Sequence, residues 1–393
     1  MVNQIIAGID IGTGHIRIGT AKELLAGETA LPKMIGFGMA ESKGLRHGCV
    51  IEKEETVKSL EKAKQAAEKN IGNRIKSAVI SVGGIGLGSL TSSGEIIVSK
   101  ADLEVTDLDI EKIVNLAEEN IPSSISLNRK ILHTIPLSYK LDGKSVVGNP
   151  IGMRGTKLEA KCLFITVVEK NINDLIDVVE EAGIEVLDVV ASPIAASLVL
   201  LSKQQKRAGC LLVNIGSETV SSIVYENNVP SFLEILPTGG SHVTNDIALG
   251  LKISLEEAEH LKLGGLTTSS YSKKKLEEII EARLNDIFDM IETQLKKIGR
   301  NGLLPAGVIF SGGGSGINNL EELAKLYLEL PAQTGVILHN TDNTKNTVKD
   351  SSWATVYGLC LIGLEAKKEG SQFSGLLRKT GLKAKRFLKQ FLP

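Results

Sequence analysis

Ile5-Ile6-Ala7-Gly8-Ile9-Asp10-Ile11-Gly12-Thr13-Gly14-His15-Ile16-Arg17-Ile18 runs from an apolar stretch through a glycine-rich break into alternating residues. That order reads as strand, turn, strand: a β-hairpin with glycine at its tip. The same order returns in the second half of the chain. Residues 210–213 are apolar, Asn214-Ile215-Gly216-Ser217-Glu218-Thr219 forms the break, and Val220-Ser221-Ser222-Ile223-Val224 alternates. Glycine tips let backbone N–H groups come close to phosphate oxygens. Two such hairpins in one chain predict duplicated halves that face one phosphate-bearing ligand.

The bulk properties narrow the remaining choices. A chain of 393 residues can build two or more domains with well-buried cores. Its 45 Lys and Arg against 46 Asp and Glu give a net charge of -1, which implies no general attraction for nucleic acid. Cys49, Cys162, Cys210 and Cys360 lie far apart and form no CxxC pair, so buried thiols are expected rather than zinc. The start of the chain carries no charged segment followed by an apolar signal core. No stretch reaches the roughly 18 uninterrupted apolar residues of a membrane-spanning helix. The body is therefore expected to be soluble and intracellular.

Between the hairpins, residues 52–70 have apolar side chains at helical spacing, and residues 77–82 form a strand. The run Gly83-Gly84-Ile85-Gly86-Leu87-Gly88 then precedes a strand over 91–98, not a helix, which makes it a structural turn. A helix over 107–120, with Thr106 as cap and Glu111 further on, precedes strands over 130–139 and 158–168. Residues 82–166 thus form a strand–helix–strand–strand module inside the first half. Beyond it lie a helix over 171–182, a strand over 185–189 and an apolar helix over 192–201.

After the second hairpin, Pro237-Thr238-Gly239-Gly240 leads into a helix over 242–250. Ser254 and Glu257 form a capping box, and a long charged helix covers 273–297. A strand over 307–310, the loop Ser311-Gly312-Gly313-Gly314-Ser315-Gly316 and a helix over 318–328 complete a strand–glycine–helix unit. In that context a glycine loop can approach a nucleotide.

Two phosphate hairpins and a later strand–GGG–helix, in this order, resemble the actin/Hsp70/sugar-kinase superfamily. The inserted module, with Ile131-Leu132-His133-Thr134-Ile135-Pro136, Leu141-Asp142-Gly143 and Asn149-Pro150-Ile151-Gly152-Met153-Arg154-Gly155, is similar to that of the bacterial cell-division actin family FtsA. Pro237-Thr238-Gly239-Gly240 and Ala258-Glu259-His260-Leu261-Lys262 carry the same likeness. It extends over nearly the whole chain. The fold it implies is α/β: an actin-like duplicated ATPase with an inserted strand–helix–strand–strand subdomain and a C-terminal amphipathic helix.

The implied first actin-like subdomain is 1–81 with 167–205 and 345–369, and the inserted one is 82–166. The second actin-like subdomain is 206–240 with 305–344, and 241–304 is the small adenosine-side subdomain. Residues 370–375 would be a linker and 376–393 the amphipathic helix.

The same resemblance implies ATP and Mg²⁺ as ligands. Asp10, Gly12, Thr13 and Gly14 match the first phosphate loop, with Asp10 holding Mg²⁺ through water. Asn214, Gly216, Ser217, Glu218 and Thr219 match the second. Glu259 and Lys262 stand where the family meets ribose and base, and Gly312, Gly313 and Gly314 where it packs on the adenosine. From spacing alone, Glu259 and Lys262 are only an i,i+3 pair on one helix face, which suits a solvated salt bridge.

Two departures bear on chemistry. Most of the superfamily begins the second loop with an acidic residue, and here it is Asn214. Many hydrolytic relatives carry Glu before the proline of the connecting helix, and here it is Ser192. An amide and a hydroxyl cannot take up a proton from attacking water as a carboxylate does. No catalytic base is assigned, and at most slow ATP hydrolysis is expected.

Residues 376–392 place Leu376, Leu377, Ala384, Phe387, Leu388 and Phe391 on one helical face and six Lys or Arg on the other. That pattern suits an anionic membrane surface. By resemblance, the partners are the C-terminal peptide of the tubulin-like FtsZ at 241–304, further copies of the chain in filaments, and other division proteins at 82–166. The implied location is the cytoplasmic face of the membrane at the division site. A pilus-assembly-type actin-like ATPase and a small-molecule kinase are the alternatives.

Overall fold

In the computed structural model the described residues are 5–22, 33–265, 271–337 and 350–368. The 370–375 linker and the amphipathic segment 376–392 lie outside them. Both hairpins form. Ile5–Ile11 pairs antiparallel with His15–Lys22, setting Asp10 opposite Arg17. Cys210–Ile215 pairs in the same way with Val220–Glu226, setting Asn214 opposite Ser221.

Around each hairpin the sheet grows by one rule. In the first, Lys33–Glu41 continues the meander on one side, while Ser77–Val82 and then Glu185–Ala191 add in parallel on the other. In the second, Val229–Leu236 continues the meander, while Val308–Ser311 and Ala332–Thr334 add in parallel. Two sheets with one strand order are the duplication expected from the hairpins. Their interiors are dense in Ile, Val and Leu, as parallel strands covered on both faces require.

The module inserted between Ser77–Val82 and Glu185–Ala191 has the expected order: strand Gly88–Ile97, helix Asp107–Glu119, strands Arg129–Leu141 and Lys157–Val168. A short strand, Lys144–Val146, forms its outer edge. Its sheet joins the second half, not the first, through Gly88 opposite Glu234. The Ser89 hydroxyl reinforces the joint, donating to the Leu233 carbonyl at 2.9 Å and accepting from the Leu233 N–H at 2.7 Å. The result is one sheet of nine strands among the described residues.

The module's helix is capped by Thr106, but its box partner is Asp109 and not Glu111. Asp109 is fully buried. One of its oxygens accepts from Ser99 N–H and Oγ at 3.2 and 2.7 Å, and the other from Thr106 N–H and Oγ1 at 2.9 and 2.7 Å. Burial favours the neutral acid, yet these four donors outweigh it and hold the carboxyl down at about 2.

Helix Ala354–Lys368 has no amphipathic signature because it is buried on nearly all sides, against Ser192–Leu200 and the first sheet. Its backbone comes so near that a Cβ on Gly358 would lie 1.9 Å from the Ala195 carbonyl oxygen. No helix among the described residues is long and apolar enough to cross a membrane.

Asp109→Asn should destabilise the inserted module by about 2 kcal/mol at neutral pH, since an amide cannot accept all four donors. Because the folded carboxyl titrates below its unfolded value, its contribution is complete above about 4. It is lost as pH falls through about 2. Urea unfolding of both proteins at pH 7 and in acid checks this. The gap between them should narrow as the solution is acidified.

Candidate nucleotide-binding cleft

The two hairpin tips converge at the floor of a cleft of about 630 Å³ between the halves. Each tip closes by the same bond. Gly12 N–H donates to the His15 carbonyl at 3.2 Å, and Gly216 N–H donates to the Thr219 carbonyl at 2.8 Å. The tips also meet each other: a Cβ on Gly14 would sit 3.1 Å from the Ser217 Cβ. Asp10, Gly12, Thr13, Gly14, Asn214, Gly216, Ser217 and Thr219 all line the cleft.

Gly312, Gly313 and Gly314 form another wall. Gly312 has φ 84°, and a Cβ there would meet Asn214 Oδ1 at 2.2 Å. A Cβ on Gly314 would meet the Ile215 side chain at 2.3 Å. Gly313 differs, because a Cβ there meets nothing within 4 Å. Gly312 and Gly314 let the loop lie on the second hairpin, and Gly313 keeps cleft space open.

Glu259 and Lys262 also line the cleft, and they are not a solvated pair. The Lys262 side chain is only 5% exposed, and its ammonium reaches Glu259 Oε2 at 2.6 Å. It also donates to Thr244 Oγ1 at 3.0 Å and to the Gly240 carbonyl at 3.2 Å. The Thr244 hydroxyl lies 2.5 Å from the same Glu259 oxygen. Partial burial raises the Glu259 carboxyl, but the Lys262 and Thr244 hydrogen bonds outweigh it and the group sits below its ordinary range. A half-exposed carboxylate locked in this way suits a sugar hydroxyl, which can donate to it.

Asp10 is partly buried on the cleft floor and accepts from Ser81 Oγ at 2.6 Å. Desolvation pushes its carboxyl up, against the pull of Ser81 and of Arg17. Ser192 also lines the cleft, so the two positions without a carboxylate, 192 and 214, both face the ligand space.

Glu218 alone of the expected loop residues turns away. Its carboxylate accepts from the His47 N–H at 2.6 Å, and the His47 ring Nδ1 lies 3.1 Å from the Glu218 carbonyl oxygen. The next amide, Gly48 N–H, donates to Thr13 Oγ1 at 2.9 Å. Glu218 therefore ties the second tip to a turn of the first half. It does not line the cleft.

Sequence reasoning did not assign His15, Arg17, Gly48, Gly83, Thr244, Glu256 or Ser352 to the site, and all line it. Arg17 was findable, since strand alternation puts it on the face of Asp10. Gly83 opens the glycine run read as a turn. A strand does follow that run, but a Cβ on Gly83 would lie 2.3 Å from Ser192 Oγ. Nothing local marks Gly48 or Ser352.

Among the described residues no group of three or more His, Cys, Asp and Glu could hold a metal ion. The open space at Gly313 leaves room for a nucleotide, and on the cleft floor the partly buried Asp10 is the carboxylate that could face a divalent cation.

The family model for the cell division protein FtsA matches residues 211–358, and that for the SHS2 domain inserted in FtsA matches 84–166. The cell division protein FtsA of Pseudomonas aeruginosa is 28% identical over 392 residues, covering 94% of this chain and 92% of that protein. The FtsA of Bacillus subtilis is 28% identical over 350 residues, covering 83% and 77%. Among solved structures, a PilM–PilN type IV pilus biogenesis complex superposes with a TM-score of 0.65 at 16% identity, covering 91% of this chain and 98% of that one. MreB5 of Spiroplasma citri bound to ADP gives 0.52 at 13% identity, covering 94% and 99%. These structural likenesses establish the actin-like fold.

Gly313→Val should leave the melting temperature unchanged within about 1 °C, because the added side chain points into open cleft. It should abolish the shift that ATP gives the parent chain. Thermal scans with and without ATP check it, and an equal shift in the variant would remove Gly313 from the nucleotide site.

Proposed function

The chain belongs to the FtsA family of cell-division proteins, and from that premise we propose that it is an ATP-binding, actin-like filament former that anchors the FtsZ ring to the cytoplasmic face of the membrane. The observation that carries this reading is the convergence of both hairpin tips and the Gly312–Gly314 loop on one cleft that the buried Lys262 network also lines. ATP would lie with its phosphates along the tips at Gly12–Gly14 and Gly216–Thr219. Its ribose would lie at Glu259 and its adenine beside Gly313.

When bound with the nucleotide, Mg²⁺ neutralises phosphate charge. In this chain Asp10 would orient water around it. Thr13 Oγ1 and the tip amides would hold phosphate oxygens. With an amide at 214 and a hydroxyl at 192, neither of those positions offers a carboxylate to accept a proton from attacking water. ATP then acts as a structural ligand that sets the relation of the halves, and hydrolysis is slow.

Partners follow the same premise. Residues 241–304 take the FtsZ C-terminal peptide, 82–166 contact neighbouring subunits and later division proteins, and 376–392 dock on anionic lipid. One tail gains about 1 kcal/mol per basic residue near such a surface, against a similar cost per residue ordered. Tethering therefore strengthens when a filament presents many tails at once.

Two outcomes test this. Purified protein should turn over ATP on a timescale of about minutes or longer, since a missing base typically costs about 10²–10⁴ in rate. Asn214→Asp should speed it. A parent rate near that of a metabolic kinase would favour the small-molecule kinase instead. Truncation after Ser374 should release the chain from anionic vesicles in a pelleting assay while ATP binding persists; continued co-sedimentation would place the anchor elsewhere.

A further inference from the structure

The helix Ser192–Leu200 carries Ser192 into the cleft, yet its own residues do not cap it. Its N-cap is Ala191, whose methyl cannot accept a hydrogen bond. The third helical residue, where a Glu or Gln would reach back to the N-cap N–H, is Ile194. Ala191 is fully buried, so bulk water does not reach that N–H either.

The acceptor comes from the inserted module. His133 lies on the strand Arg129–Leu141, and its Nε2 receives the Ala191 N–H at 3.1 Å. The imidazole is buried, and Nε2 accepts only while the ring is neutral with its proton on Nδ1. Burial favours that neutral ring.

The bond joins two places that matter to the cleft. On one side, Ala191 stands opposite Val82, and the next residues, Ser192 and Gly83, both line the cleft. A Cβ on Gly83 would lie 2.3 Å from Ser192 Oγ, so these two strand ends are packed against each other. On the other side, the sheet of His133 runs through Lys157–Val168 and Gly88–Ile97 to Glu234 in the second half. A change in the relation of the halves must carry His133 along with Ala191 or part them.

We propose that His133 is a positioning residue of the nucleotide cleft: by holding the Ala191 N–H it sets where Ser192 meets the ligand, and it links occupancy of the cleft to the seating of the inserted module. This rests on the nucleotide reading above and specifies how the ligand is felt outside the cleft. The linkage is reciprocal, so whatever binds the module and shifts its strand 129–141 also shifts ATP affinity.

Hydrogen exchange of the full chain, with and without ATP at a concentration that saturates each protein, tests it. The strand is read at 129–136, and the tips at 12–16 and 216–219 report binding itself. In the parent, ATP should slow exchange over 129–136 by about twofold or more, together with the tips. His133→Leu removes the acceptor, and His133→Asn, polar but too short to reach, does the same should the first fail to fold. Both should keep protected tips and lose the slowing over 129–136. His133→Gln, whose amide oxygen can stand in for Nε2, should restore it. A parent strand that exchanges unchanged while its tips are protected overturns the proposal without any variant. So does a Leu or Asn variant whose strand slows as the parent's does. If ATP protects neither tip of the parent, the nucleotide reading itself falls and takes this proposal with it.

Discussion

The contact between two glycine-tipped hairpins is the constraint from which the molecule is built. Gly14 and Ser217 approach so closely that a Cβ on Gly14 would stand 3.1 Å from that of Ser217. A methyl at Gly14 would already press on Ser217, and a larger side chain there would crowd the junction further. Two further glycines bring the next element into the same junction. A Cβ on Gly239 would lie 2.5 Å from the Ser217 carbonyl oxygen, and Gly240 N–H donates to the Gly216 carbonyl at 2.8 Å. The helix Gly240–Leu251 therefore starts from the second tip, and it carries Thr244 to the Lys262–Glu259 network. Phosphate floor and adenosine wall are held in one frame.

Two devices beyond the tips cross between the halves. The turn at His47 and Gly48 binds Glu218 on one side and Thr13 on the other, so it follows the relative position of both loops. The inserted module leaves the first half in sequence but pairs its sheet with the second through Gly88 and Glu234. Its strand Arg129–Leu141 also reaches back: His133 Nε2 accepts the Ala191 N–H at 3.1 Å, one residue before the cleft-lining Ser192. Burial drives that imidazole down to about 4, which keeps it neutral and able to accept at physiological pH. A rearrangement of the cleft has a covalent and hydrogen-bonded route to the module.

Much of this was legible in the sequence because the signals are local. Each hairpin is written in one short stretch, and the helix Lys273–Lys297 has the expected bounds. The module's strand–helix–strand–strand order could likewise be read from consecutive segments. What escaped depends on partners far along the chain. The third meander strands, Lys33–Glu41 and Val229–Leu236, gave no assignment, and Ala354–Lys368 is buried on so many sides that no polar face marks it. In the site, the glycines of the two tips and of 312–314 stand at strand ends and were readable, whereas Gly48 and Gly83 were not. The direction of Glu218 was not, because His47, its partner, lies 171 residues away. Lys262 was misjudged as solvated for the same reason: Gly240 and Thr244, which desolvate it, belong to another helix.

The central claim is that three glycine loops from both halves grip one nucleotide together. Hydrogen exchange of the backbone amides at 12–16, 216–219 and 312–316, measured with and without ATP, tests it most directly. The account predicts that all three segments slow together at the same ATP concentration. ATP binding that protects segments of only one half, or none of the three, would contradict it.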